Sequence, residues 1–301
     1  MNWCEKLKDE TRINQIAIPG THDSSAWTHH ENFPGIPGAW AQRKSIEEQL
    51  EMGVRAFDLR VGCASNIHHL GLTSFIGMYH GPIYLNLTLN EVLITVRKWL
   101  DKNPKEFLIL IFQQQGKFSS RDDISKGVST SLKQHFGDKL LESNPAMQEW
   151  PTCGEVRNKV IVMNRMRSPI DDAIDVRSWL TDGDNSEGIE LNTDSGVTVY
   201  LQDKYKGISK ESGFETLTKD NIKKFAVFKA AAVIDVNKDT KLLGINHLSY
   251  SNLRYQPWSS GEGVNILLQE NNMKTKGLIM ADDADSTTVE HIINMNSEYS
   301  V

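Results

Sequence analysis

The chain has 301 residues, of which 39% are hydrophobic and 24% charged, a composition typical of a soluble globular protein with room for a large core. The formal net charge of −6 argues against a nucleic-acid partner and against charge-driven binding to anionic membranes. The sequence contains no apolar run of about 18 residues, the length that a membrane-spanning helix requires.

Eight short apolar runs have the length and the flanking residues of β-strands. They cover residues 15–19, 54–60, 77–80, 107–112, 159–164, 197–202, 243–247 and 277–281. Between these runs, amphipathic spacing predicts helices over 45–52, 89–101, 122–136 and 289–295. Residues 171–193 are rich in Asp, Asn, Ser and Gly, which predicts a loop.

The alternation of strands and helices predicts an α/β fold. Eight strands in this pattern favour a single distorted (β/α)8 barrel of the TIM type. Several intervals carry a weak helix signal, so we expect an irregular barrel that is incompletely closed. No linker or repeat divides the chain, which predicts one domain over 1–301. A doubly wound sheet is the alternative, but the Gly-rich turn expected after its first strand is missing.

Ionisable groups follow three successive predicted strands. Residues 18–24 read Ile-Pro-Gly-Thr-His-Asp-Ser, residues 57–60 read Phe-Asp-Leu-Arg, and residues 79–82 read Tyr-His-Gly-Pro. In a barrel, functional residues gather at the C-terminal ends of the strands. A lone histidine is more often structural, but two histidines and an arginine at consecutive strand ends favour a catalytic site.

His22 and His80 have the chemistry of a general base and a general acid on either side of a phosphodiester. Each needs a carboxylate, which orients the base or keeps the acid protonated. Asp23, Asp58 and Asp282 are the candidates, and closure of a barrel would bring the last beside the first strand. Capping of the final helix is the alternative role for Asp282.

Arg60 bears on the need for a metal ion. A phosphoryl-transfer site must neutralise the non-bridging oxygens, and a planar guanidinium does this in place of a cation. A calcium site requires several clustered oxygen ligands, whereas the fourth predicted strand ends in Gln113-Gln114-Gln115. We therefore predict a site without metal or cofactor, and a structural salt bridge is the alternative role for Arg60.

The three motifs, in this order, resemble those of bacterial phosphatidylinositol-specific phospholipase C. Segments 159–165 and 201–206 also resemble strand ends that bind inositol in that family, and the likeness runs with gaps from about residue 14 to 295. The resemblance implies a distorted TIM barrel and a metal-independent transesterification that yields diacylglycerol and inositol 1,2-cyclic phosphate.

By position, the resemblance implies that His22 is the general base and Asp282 its carboxylate partner. It likewise implies that His80 is the general acid, assisted by Asp23. Arg60 matches the arginine that binds phosphate where eukaryotic relatives place calcium.

Further residues match the family in supporting roles. Asp58 matches a supporting carboxylate of the catalytic site. Arg165, Asp203 and Tyr205 match contacts to the inositol ring. The alternative for Tyr205 is a core or rim aromatic.

Trp40 and Trp258 resemble tryptophans at the membrane-facing rim, with core packing as the alternative for both. The implied partner is phosphatidylinositol in a membrane, bound peripherally by a monomer, with myo-inositol or an inositol phosphate in the active site. Residues 113–115 depart from close family members, which carry a lysine and a glutamate there, so the range of head groups stays open.

Two other function classes remain open. A metal-dependent phosphodiesterase on glycerophosphodiesters or sphingomyelin would need an acidic cluster around the two histidines. A non-catalytic inositol- or membrane-binding module would be expected to lack one of them.

The N-terminus and the cysteines bear on the cellular compartment. Residues 1–6 lack an apolar segment, so we expect no signal peptide in this chain and export either as a trimmed form or by another route into a host. Cys4, Cys63 and Cys153 lack metal or redox spacing and are predicted to be free thiols.

Overall fold

The computed structural model describes residues 1–27, 39–68, 71–116, 121–143, 147–180, 188–205, 208, 214–233, 239–250 and 257–300. Its strands are β1 (Ala17–Thr21), β2 (Ala56–His68), β3 (Gly71–His80), β4 (Ile83–Thr88), β5 (Leu108–Gln114), β6 (Val160–Asn164), β7 (Ile174–Asp175), β8 (Ile189–Asn192), β9 (Thr198–Gln202), β10 (Leu242–His247) and β11 (Gly277–Ala281). Its helices are α1 (Ile46–Met52), α2 (Leu89–Lys102), α3 (Arg121–Phe136), α4 (Cys153–Val156), α5 (Phe214–Ala230), α6 (Pro257–Gln269) and α7 (Ser286–Asn294).

Nine strands form a curved sheet in the order β7-β6-β5-β2-β1-β11-β10-β9-β8. Eight of them are parallel, and β8 pairs antiparallel with β9. Within the described residues no ladder joins β7 to β8, so the barrel is open on that side. The predicted α/β class and the incompletely closed barrel are confirmed.

Seven of the eight predicted strands lie in this barrel, and the prediction for 77–80 as a barrel strand is wrong. That run is the end of β3, which pairs antiparallel with β2 and β4 and lies off the barrel path. β2 is 13 residues long, so its second half leaves the barrel and pairs with β3 from Val61↔Met78 to His68↔Gly71. The β2–β3 hairpin therefore brings His80, the last residue of β3, back to the end of the barrel.

The eighth parallel strand is β7, which falls in the segment predicted as a loop. It has only two residues, Ile174 and Asp175, and this is too short for a periodic apolar signal. The same segment contains a 3-10 turn over Arg177–Leu180 and the start of β8.

The predicted helices over 45–52, 89–101 and 122–136 are confirmed as α1, α2 and α3. Capping boxes begin two of them, between Ser45 and Glu48 and between Thr88 and Glu91. The last helix, α7, is capped by Asp285, whose side chain accepts from the backbone of its first turn. The alternative capping role for Asp282 is therefore wrong.

Apolar side chains fill two layers, because successive strand residues point to opposite faces. Ile109 and Ile111 of β5 belong to the cluster inside the barrel. Leu108 and Leu110 belong to the cluster between sheet and helices. A Cβ on Gly20 would overlap the sulfur of Met280, so the glycine of the first motif leaves room for the Met280 side chain inside the barrel.

The cysteines and the helices agree with what the sequence predicts. Cys4, Cys63 and Cys153 are free, as predicted. In the described part of the chain, every helix is too short or too polar to cross a bilayer.

Candidate active site

A ring of polar residues lies on the apolar interior, at the C-terminal ends of the parallel strands. In each strand the ring residue comes two positions after an inward-facing residue, so its side chain points to the barrel axis. The ring is formed by His22, Asp58, Arg60, Gln113, Arg165, Asp203, His247 and Asp282. Polar side chains from seven strand ends thus converge on one space.

His22 is held from both sides of its ring. Its Nδ1 lies 2.8 Å from Asp282 Oδ1, and a guanidinium nitrogen of Arg60 contacts its Nε2. Because a guanidinium only donates, Nε2 carries the lone pair and Nδ1–H donates to the carboxylate. Burial, reinforced by the charge of Arg60, lowers the pKa of His22 to about 4. The ring is therefore neutral near pH 7, with the lone pair of a base on Nε2.

Asp282 is 1% exposed, and its place beside β1 results from the parallel pairing of β1 with β11. Burial raises the pKa of the Asp282 carboxyl, whereas the hydrogen bond from His22 Nδ1 stabilises its ionised form. The carboxylate orients the imidazole and fixes its tautomer.

Arg60 lies between two buried carboxylates. Its Nε donates to Asp58 Oδ2 at 3.1 Å, and its Nη1 lies 3.4 Å from Asp23 Oδ2. Burial would lower the pKa of Arg60, but Asp58, Asp23 and Asp203 outweigh it and raise that pKa. Arg60 is thus in salt bridges and also in contact with His22.

Asp58 is the main carboxylate beneath the guanidinium. Burial would raise the pKa of Asp58, but the positive charge of Arg60, with smaller contributions from His22 and Arg165, lowers it to about 2. Asp58 also accepts from the backbone nitrogen of Asp23 at 3.1 Å, so it is ionised throughout the neutral range.

His80 approaches the site from the hairpin. Its Nδ1 lies 2.8 Å from the carbonyl oxygen of Ala39 and 3.3 Å from Asp23 Oδ2, and both are acceptors. The proton therefore sits on Nδ1 in the neutral ring, and Nε2 is left for a reacting group. Asp23 contacts both His80 and Arg60 from a backbone φ of +44°, a left-handed turn that Asp tolerates.

Arg165 and Asp203 form a second ion pair across the barrel, at 3.0 Å between Nη2 and Oδ2. Trp179 donates from its Nε1 to Asp203 at 2.9 Å, and the guanidinium of Arg165 lies 4.1 Å from the ring centroid of Trp179. Burial would raise the pKa of Asp203, but His247 and Arg165 lower it. Arg165 Nε is buried without a partner among the described residues.

Tyr205 is partly buried and interacts electrostatically with Arg165. Trp40 is partly buried and follows Ala39, the residue that holds His80. Trp258 lies in the first turn of α6, and its side chain is outside the described residues.

Sequence reasoning missed His247 and Trp179. His247 is fully buried, its ring centroid lies 5.8 Å from that of His22, and its Nδ1 lies 3.8 Å from Asp203 Oδ1. Burial lowers its pKa to about 3, so the ring is neutral. Its position at the end of a predicted strand, like that of His22, was the available signal, whereas Trp179 lies in the segment predicted as a loop.

The glutamines after β5 also border the site. Gln115 Oε1 accepts from the backbone nitrogen of Gly81, and the side-chain oxygens of Gln113 and Gln114 are buried without a partner in the part of the chain that is described. Among those residues no group of His, Cys, Asp and Glu has the arrangement of a metal site, and Arg60 supplies the positive charge between the carboxylates.

Comparisons with known proteins agree with this fold. A 1-phosphatidylinositol phosphodiesterase of Listeria monocytogenes is 26% identical, over 98% of this chain and 84% of that protein. A pentafluoro-Phe-substituted phosphatidylinositol-specific phospholipase C of Staphylococcus aureus superposes with a TM-score of 0.72 at 20% identity, covering 98% of this chain and 96% of that one. The Listeria monocytogenes phosphatidylinositol-specific phospholipase C superposes with a TM-score of 0.67 at 23% identity, covering 98% and 97%.

The family model named "Phosphatidylinositol-specific phospholipase C, X domain" matches residues 16–166, about half of the chain. That range includes β1, β2, β5 and β6, together with the hairpin that carries His80. The chain belongs to the phosphatidylinositol-specific phospholipase C X-domain family.

Proposed function

We propose that the protein is a metal-independent phospholipase C that cleaves phosphatidylinositol to diacylglycerol and inositol 1,2-cyclic phosphate. The observation that carries the proposal is that Arg60 links the two histidines: it contacts His22 directly and reaches His80 through Asp23, while Asp282 binds the other side of His22. The Listeria monocytogenes relative, named for phosphodiesterase action on phosphatidylinositol, supports the choice of substrate.

The first step uses His22 as the general base. Its Nε2 takes the proton of the inositol 2-hydroxyl while that oxygen forms a bond to the adjacent phosphorus. For this, the guanidinium of Arg60 must exchange its contact with Nε2 for the phosphate oxygens. Asp282 stabilises the imidazolium that forms, because it already accepts from Nδ1.

The bond to diacylglycerol breaks as His80, in its doubly protonated imidazolium form, donates a proton from Nε2 to the leaving oxygen and keeps the proton on Nδ1. Asp23 and the carbonyl of Ala39 hold the opposite nitrogen, which fixes the direction of the Nε2–H bond. In a second step the roles reverse, and water opens the cyclic phosphate. Proton transfer by each histidine contributes about 10²–10⁴-fold to the rate.

Arg60 stabilises the charge on the non-bridging oxygens in the transition state. Asp58 and Asp23 orient the guanidinium of Arg60 and keep it charged, and they leave the edge that faces His22 open. This arrangement provides for charge neutralisation by the side chain alone, and it motivates the proposal that no metal takes part.

Arg165, Asp203 and Tyr205 are proposed to bind the inositol hydroxyls and one face of the ring. The buried Arg165 Nε, which lacks a protein partner among the described residues, supports a role in binding hydroxyl oxygens. We further propose that the protein acts as a single-domain monomer on the surface of a target membrane, with Trp40 and Trp258 at the lipid-facing rim.

The test incubates the purified protein with vesicles of phosphatidylinositol or of phosphatidylcholine, and detects phosphorus products by ³¹P NMR. We expect the cyclic phosphate from phosphatidylinositol only, at equal rates with EGTA and with calcium. His22→Ala should nearly abolish turnover, whereas the matched control His291→Ala, in the last turn of α7, should retain it. Cleavage of phosphatidylcholine or sphingomyelin, activity that requires calcium, or inositol binding without turnover would refute the proposal.

A further inference from the structure

Residues 39–43, here called the strap, contact the backbone or side chains of both histidines. At one end the carbonyl oxygen of Ala39 accepts from His80 Nδ1. In the middle, the backbone nitrogens of Ala41 and Gln42 both donate to the carbonyl of Ala26, just beyond the turn that follows β1. The strap therefore lies over the end of the barrel where the polar ring opens.

The side chain of Gln42 is fully buried beneath the strap. Its Nε2 donates to the carbonyl oxygen of His22 at 2.8 Å and to that of Ala281 at 2.9 Å, while its Oε1 accepts from the nitrogen of Ala284 at 3.1 Å. These three bonds fix the orientation of the amide, because a flipped amide would bring its oxygen against two carbonyls.

These contacts join the two strand ends that carry His22 and Asp282. The β1–β11 ladder ends at Thr21↔Ala281, and His22 and Asp282 are the next residues after the two strands. The backbone nitrogen of His22 donates to the carbonyl of Ala281. The side chain of Gln42 adds a second link, because its Nε2 donates to the carbonyls of both His22 and Ala281.

We propose that Gln42 is a positioning residue that sets the separation of the His22–Asp282 pair. The inference rests on the proposed function in so far as His22 is the general base. Without the amide, the carbonyl of His22 would need water or a new backbone arrangement, since buried polar groups do not remain unpaired, and the carbonyl of Ala281 would keep only the bond from the nitrogen of His22. Either outcome moves His22 relative to the carboxylate.

The strap is itself anchored at its far end. Arg43 Nε donates to Asp283 Oδ1 at 2.6 Å, and a second guanidinium nitrogen of Arg43 contacts the other oxygen of that carboxylate. The backbone nitrogen of Asp283 also donates to the carbonyl of Ala41. Gln42 therefore lies between fixed points, and its replacement should change the strand ends beneath it while the strap stays attached.

Asn296 offers a matched control at the opposite end of the same strand. It is 1% exposed, its Nδ2 donates to the carbonyl of Ala17 at 2.8 Å, and its Oδ1 accepts from the nitrogen of Ala17 at 2.7 Å. A buried amide thus bridges the backbone of β1 at both ends, but only Gln42 is next to the histidine.

The experiment compares Gln42→Met, which keeps the length of the side chain without its hydrogen bonds, with Asn296→Leu. We expect both to lower the melting temperature. Gln42→Met should lower kcat on phosphatidylinositol vesicles by about 100-fold with little change in KM, since misplacing a reacting group by about 1 Å costs that much. Asn296→Leu should keep kcat within about twofold of the original.

A second readout does not depend on activity. The ¹⁵N signals of the His22 ring, identified by their loss in His22→Ala, report the tautomer and the pKa. In Gln42→Met we expect the pKa of His22 to rise from about 4 toward the ordinary value as water reaches the ring. If the unmodified protein did not cleave phosphatidylinositol, the proposed function would fail, and these signals would still decide the role of Gln42.

Unchanged His22 signals and unchanged kcat in Gln42→Met would overturn the proposal. If that variant does not fold, Gln42→Glu replaces it, since it retains an acceptor for Ala284 and loses the donor to both carbonyls. We expect the same shift of the His22 signals. Failure of both variants to fold, with Asn296→Leu folded, would also overturn the proposal, because Gln42 would then be a determinant of folding.

Discussion

Replacing Asp282 by asparagine removes a negative charge from His22 and leaves the size of the side chain unchanged. The amide oxygen would accept from Nδ1–H in place of the carboxylate, because the donors of Arg60 exclude a proton on Nε2. The variant should therefore keep the lone pair of the base but lose the negatively charged partner of the imidazolium.

The magnitude follows from the geometry. At an effective dielectric constant of about 20, a carboxylate 2.8 Å from a charged imidazole nitrogen stabilises it by about 6 kcal/mol at most. This energy corresponds to about 10⁴-fold in rate. Because the pair is partly open to solvent on the His22 side, we expect kcat of Asp282→Asn to fall by about 10³–10⁴-fold.

The assay is the release of inositol cyclic phosphate from phosphatidylinositol vesicles between pH 4 and 9. Loss of the carboxylate lowers the pKa of His22 further, so raising the pH should not restore the rate. The matched control is Asp285→Asn, the cap of α7, because asparagine caps helices as well as aspartate does. A rate within tenfold of the original, or a loss that disappears at high pH, would refute the assigned role of Asp282.

Arg60, Arg165 and His247 of the polar ring each have a role that a single substitution tests. Arg60→Lys should lower kcat by about 10²–10³-fold, since an ammonium cannot contact Asp58, Asp23 and phosphate together, and added calcium should leave the rate unchanged in a vesicle assay. Arg165→Met should raise KM about 10–100-fold with a smaller change in kcat, as measured by initial rates over a range of phosphatidylinositol concentrations. Burial lowers the pKa of His247 to about 3 in the folded protein, so the unfolded chain binds its proton first. The free energy of unfolding should therefore fall as the pH is lowered from 6.5 to 3, and this group contributes up to about 5 kcal/mol of the fall. Urea titration at several pH values should show a smaller fall in His247→Phe.

Much of the barrel could be predicted because its strands are buried on both faces. Continuous apolar runs such as 107–112 mark such strands, and they depend little on what packs around them. β7 could not be predicted in this way, since two residues carry no period. The outer half of β2 and its partner β3 are held by pairing with each other, and polar residues such as Ser65 and Asn66 gave no apolar signal.

The convergence of His22 and Asp282 could be anticipated from barrel closure, because the first and last strands must then be neighbours. The partners of His80 required the structure. The carbonyl of Ala39 is a backbone group 41 residues away, and no side-chain pattern indicates it. The amide contacts of Gln42 likewise depend on the path of the strap, which neither periodicity nor residue type predicts.

The hairpin of β2 and β3 has a consequence for variation in length. The position of His80 is fixed at the base of the hairpin, where Val61 pairs with Met78, whereas His68 and Gly71 pair seven residues farther out. Residues added or removed in pairs beyond that base would keep every remaining side chain on its own face of the ladder. We therefore expect homologous chains to differ in the reach of this hairpin while the distance between the two proton-transfer groups stays the same.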